Sequence, residues 1–121
     1  MKISDKSRPK SDLVRSLKKA AKINVAELAE RTGFSAIHLN NKLNRNSFKF
    51  EDILFIAKAC GYSMALRSDA TDEEIPLDIS DYVSEEKIEH FRVYKTKQIA
   101  MLEEQINALL SQKNNLKGGI L

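Results

Sequence analysis

The side chains with the most chemistry to offer are the lysines and arginines, and they are unevenly placed. Residues 1–50 carry 12 Lys and Arg against 4 Asp and Glu, a charge of +8; residues 51–121 carry 8 against 13, a charge of −5. A basic surface attracts phosphate and releases counterions when it binds. Residues 69–89 hold nine acidic side chains with Lys87 as their sole base, so a polyanion would repel that segment. Other chemistry finds little support. Four glycines give no phosphate-cradling loop, and His38, His90 and Cys60 lack metal-ligand spacing. No Ser/His/Asp arrangement is evident. The acidic pairs Glu73-Glu74 and Glu85-Glu86 read as solvated charge rather than as general acids. We therefore expect neither an enzyme nor a cofactor.

Cys60 is the sole cysteine, which rules out an intrachain disulfide and fits a reducing compartment. The chain has no apolar run of membrane-spanning length, and MKISDKSRPK lacks the apolar stretch of a secretory signal. The expected location is cytoplasmic.

The elements that must position the basic groups are short helices. Residues 1–10 read as a flexible basic arm. Ser11 is a suitable N-cap for a first helix from about Asp12 to Lys22, with Leu13, Leu17 and Ala20 or Ala21 on its apolar side and Val14 flanking. Asn24 can cap a second helix, Val25 to Thr32, which Gly33 ends in the left-handed conformation. Ser35 can cap a third, from about Ala36 to Asn44, with Leu39 and Leu43 four residues apart. The string from Val25 to Leu43 thus reads as a helix-turn-helix, whose second helix stands proud enough to enter a major groove. A fourth helix runs from about Glu51 to Cys60, ended by Gly61. Tyr62, Met64 and Leu66 alternate, as do Ile75, Leu77 and Ile79; the pattern allows a small hairpin or a single strand with an acidic linker over 69–83. Pro76 would restrict the second run to an edge.

Residues 11 to about 66 resemble the lambda-repressor/Cro-like (XRE-type) helix-turn-helix family. The matching string is Asn24-Val-Ala-Glu-Leu-Ala-Glu-Arg-Thr-Gly-Phe-Ser35, followed by Leu39, Leu43, Ile53, Ile56-Ala57 and Gly61-Tyr62. The resemblance implies a bundle of four or five helices over 11–68 that binds double-stranded DNA, usually as a dimer. It places base contacts at Ala36, Ile37, His38 and Asn41. Ala36 and Ile37 depart from the polar residues common there and suit thymine methyls, or a protein surface; Asn41 suits bidentate pairing with adenine. Phosphate contacts fall to Asn24, Ser35, Asn40, Lys42, Arg45 and Lys49. Lys6, Arg8 and Lys10 are the candidate contacts of the arm.

Ser84 looks like the N-cap of a long helix reaching about Lys117, before Gly118-Gly119. Within it Ile99, Leu102, Ile106, Leu109 and Leu116 follow heptad spacing, Ile at a and Leu at d, the pattern of a parallel two-stranded coil. Leu110 at e and Met101 at c widen the apolar surface and leave antiparallel or four-helix assembly open. An amphipathic helix packed on its own domain is the competing interpretation.

These features predict a mainly α fold: a lambda-repressor-like bundle, a short strand or hairpin, and a dimerisation helix over 84–117. The expected function is a homodimeric, sequence-specific regulator, a repressor of phage, plasmid or bacterial type. The competing expectations are an antitoxin or adaptor whose carboxy-terminal helix holds a protein partner, and a helix-turn-helix that binds protein instead of DNA.

Overall fold

The computed structural model describes residues 8–120, with side chains described for 8–114. The fold is mainly helical, with five helices, one two-stranded antiparallel sheet and a long carboxy-terminal helix. The chain divides into two compact units between Phe91 and Arg92. No helix among the described residues is long and apolar enough to cross a membrane.

In the first unit, α1 spans Pro9–Ala21, α2 Val25–Thr32, α3 Ala36–Arg45 and α4 Phe50–Ala59. The start of α1 corrects the sequence reading. Pro9 occupies the first turn, where its missing N–H costs nothing and its fixed φ suits a helix. Lys10 therefore belongs to α1 rather than to an arm, and Ser11 is an interior helical residue, not a cap. The buried side of α1 is Ser11, Val14 and Leu17, while Leu13 is exposed. Leu17 is buried as the apolar pattern expects, but the buried face centres on Val14, with Ser11 one turn before it, instead of on Leu13.

The remaining caps follow the sequence closely. Asn24 Oδ1 accepts from Glu27 N–H at 2.8 Å, and Gly33 closes α2 at φ +82°. Ser35 Oγ accepts from His38 N–H at 3.0 Å. Helix α4 begins at Phe50, one residue earlier than expected, because the Asp52 carboxylate accepts the Lys49 N–H at 3.0 Å. The core gathers Val14 from α1, Leu28 from α2, Leu39 from α3, and Leu54, Phe55 and Ile56 from α4, all almost fully buried.

Strands β1 (Ala65–Arg67) and β2 (Glu74–Pro76) pair antiparallel, with Leu66 opposite Ile75. The hairpin thus forms, and it straddles the boundary expected at 68/69. Pro76 lies opposite Ala65, between the Leu77 N–H to Met64 C=O and Ser68 N–H to Glu73 C=O bonds of the ladder. By the alternation of an antiparallel ladder this is a non-hydrogen-bonded pair, so the proline removes no bond. Ile79 does not extend β2. It opens a 3-10 turn, Ile79–Asp81, whose preceding Asp78 accepts from the Ser80 N–H and hydroxyl; these bonds hold the Asp78 carboxyl below its ordinary pKa.

Helix α5 spans Glu85–Ile120 and so continues through Gly118-Gly119, beyond the expected end. Its first two turns belong to the first unit, where Phe91 is buried. In the second unit Ile99, Leu102, Ile106, Leu109, Leu110 and Met101 are all exposed. Lys6 and the side chain of Leu116 lie outside the described residues.

Candidate nucleic-acid interface

Helix α3 carries most of the predicted contacts, and it is fixed to the bundle from its C-terminal end. Ser11 Oγ donates to Leu43 C=O at 2.7 Å, and the Ser11 N–H donates to Asn46 Oδ1 at 2.9 Å. The Arg8 guanidinium donates to Asn44 C=O. The last carbonyls of a helix lack intrahelical partners, so α1 supplies what α3 needs. Asn46, at φ 53°, takes the left-handed conformation that lets its amide reach back to Ser11. Arg8 is consequently engaged in holding α3, whereas the sequence suggested a free arm contact.

The turn between α2 and α3 is held by side chains that the sequence reading left out. Thr32 Oγ1 donates to Leu28 C=O at 2.8 Å. The His90 ring lies 3.1 Å from where a Cβ on Gly33 would sit, and His90 Nε2 meets Glu30 C=O at 2.8 Å. Phe34 stacks edge-on against Phe55 at 6.2 Å, Phe55 against Phe91 at 6.3 Å, and the Lys87 ammonium lies 5.2 Å from the Phe34 ring centroid. The first turns of α5 thus clamp the helix-turn-helix from behind its turn.

Between these two supports α3 buries Leu39 and Leu43, half-buries Lys42 and exposes the rest. Ala36, Ile37, His38, Asn40 and Asn41 are exposed, as are Asn24 and Ser35 at the helix starts. Ile37 is 75% exposed, which for an isoleucine is a large apolar area left in water. Asn44 lies three residues beyond Asn41 on the same face and is also exposed, which brings it into the candidate set. From 36 to 44 the side chains facing outward are therefore carboxamides, apolar groups and the His38 imidazole, with no carboxylate among them.

The basic residues divide in two. Arg45 and Lys49 are exposed at the end of α3 and the start of α4. Lys42 is not free: its Nζ lies 3.0 Å from Asp52 Oδ2, with the two side chains only 15% and 7% exposed. Asp52 accepts from both Lys42 and the Lys49 backbone, so it closes the α3–α4 connection. Lys42 thus has a structural role, and its charge is already balanced. The wall beside it holds Phe34, His38, Lys49, Tyr82 and Lys87. Phe50 and Tyr82 meet edge-on at 5.3 Å.

Cys60 is buried at the end of α4. Burial pushes its thiol pKa up, and the Arg31 guanidinium opposes that shift. Arg31 donates to Ala59 C=O at 2.9 Å and pairs with Glu27 at 3.1 Å, joining α2 to the end of α4. None of these groups forms a nucleophile–base pair.

No family model, curated protein or solved structure matches this chain.

Proposed function

We propose that this protein is a homodimeric, sequence-specific DNA-binding regulator, a repressor, whose residues 11–66 act as a lambda-repressor/Cro-like reading head. The observation that carries this reading is the mounting of α3. Ser11, Asn46 and Arg8 hold one end and the α5 clamp holds the turn, so that an uncharged, amide-bearing face is presented to solvent with Arg45 and Lys49 beside it. A rigid mount is what base reading needs, because bidentate contacts fail with small displacements.

In this reading Asn41, and Asn44 beside it, pair with base edges while Ala36 and Ile37 meet thymine methyls and His38 lies at the margin. Arg45, Lys49, Asn40 and the helix starts at Asn24 and Ser35 hold phosphates. Residues 84–117 join two copies, which bind an inverted repeat with half-sites about one helical turn apart. The reading is tested by selecting binders from random duplex DNA at physiological salt and measuring the mass of the complex. The expected result is a palindromic site, two chains per duplex and a steep salt dependence. A monomer that binds random and selected DNA equally overturns it.

The exposure of Ile37 favours a second reading, in which the same face docks on a protein. Unchanged DNA affinity after Asn41→Ala and Arg45→Ala would support that reading over the first.

A further inference from the structure

We infer that the second unit pairs with a second copy of itself antiparallel, with Ile106 of each chain against Leu109 of the other and Leu102 against Lys113. This rests on the proposal that residues 84–117 join two chains, and it names the orientation and register of that join.

Charge sets how the second copy lies. The exposed seam Ile99, Leu102, Ile106, Leu109 is followed by Lys113 at the next a position. A parallel, in-register pair would place Lys113 against Lys113 in the seam, and Arg92 and Lys95 at the preceding a and d layers would also face their own copies. Such a pair would gain nothing at its flanks. Parallel coils draw orientation from charged e and g neighbours, and the g positions here are Gln98, Gln105 and Gln112. The Ile-at-a, Leu-at-d preference for parallel pairing thus runs against like charges in the seam itself.

The antiparallel register removes both conflicts. Lys113 meets Leu102, along which its methylene stem can lie, and its ammonium stands within one residue of the level of Glu103 on the other chain. Sliding one heptad towards the amino terminus would set Lys113 against Lys95 in the seam, and sliding either way would part Lys113 from Glu103, so charge favours this register as well as the direction. The basic run Arg92, Lys95 and Lys97 then lies at opposite ends of the paired segment instead of side by side.

A nitroxide at Lys97→Cys tests the direction on the full chain. Lys97 falls at f, outside the seam, and Cys60 is buried, so the label reports one site. Antiparallel pairing sets the two labels about 31 Å apart along the axis, and farther in space, whereas parallel pairing holds them about 20 Å apart across the coil. The long distance is expected; the short one overturns the inference. Lys113→Glu tests the register by sedimentation: it should weaken association at least tenfold, because it sets acid near Glu103. An unchanged association constant overturns the register. A wild-type chain that sediments as a monomer at every concentration instead refutes the underlying dimer reading, and with it this one.

Discussion

Leu39 and Leu43 stand one turn apart on α3, as Leu102 and Ile106 do on α5, yet the first pair is 0% and 4% exposed and the second 56% and 55%. Both helices carry an apolar stripe of the same period. Helix α3 packs against α1 and α2 of its own chain, so its stripe is used in folding and its opposite face stays exposed. The distal part of α5 presents its stripe to solvent, and in the proposed dimer that apolar face is itself the recognition surface. Periodicity identifies a face that must be covered; it does not say whether the same molecule covers it.

The comparison is broken most directly by truncating the stripes. Leu39→Ala should cost about 3 kcal/mol of stability, read by urea unfolding and independent of protein concentration. Ile106→Ala should leave unfolding of the dilute chain unchanged and lower the association constant instead. Equal concentration-independent losses at both sites would erase the distinction. Next in size is Asp52→Asn, which leaves Lys42 half-buried without its carboxylate; about 2 kcal/mol should be lost, with the unfolding midpoint as the measure. Asn41→Ala sharpens the comparison from the outer face of α3. It should cost about 1.5 kcal/mol of binding to a selected site, roughly tenfold, with the melting temperature unmoved. The smallest effect is expected at the turn: Gly33→Ala must hold φ +82° with a methyl 3.1 Å from His90, at about 1 kcal/mol, and His90→Ala in the same chain should return part of that loss.

Much of this arrangement is legible in the residues, because it is local. Asn24, Gly33 and Ser35 mark the ends of α2 and the start of α3 through bonds that span three or four positions. What the residues did not disclose are long-range bonds. Ser11 looks like a cap because serine usually is one; here its hydroxyl serves a carbonyl 32 residues away, on α3. Lys42 looks like a phosphate ligand until Asp52 is brought beside it by the fold of α4. The clamp of His90, Phe91 and Lys87 on the turn joins positions some 60 residues apart, beyond any periodic signal. Ile79 misled for a different reason: alternation continued by chance through Leu77, while Asp78 bonded to Ser80 and began a turn.

If α3 is the proposed reading helix, its mount governs how readily the target can change. Its supports act through Leu39, Leu43, the carbonyls of Leu43 and Asn44, and the residues of the turn. The outward side chains at 36, 37, 40 and 41 stand in water on a helix held by other groups. Those positions are therefore interchangeable at little cost to folding, and a library randomised there should yield mostly soluble, well-folded members with diverging preferences. The scaffold separates inheritance of shape from inheritance of specificity.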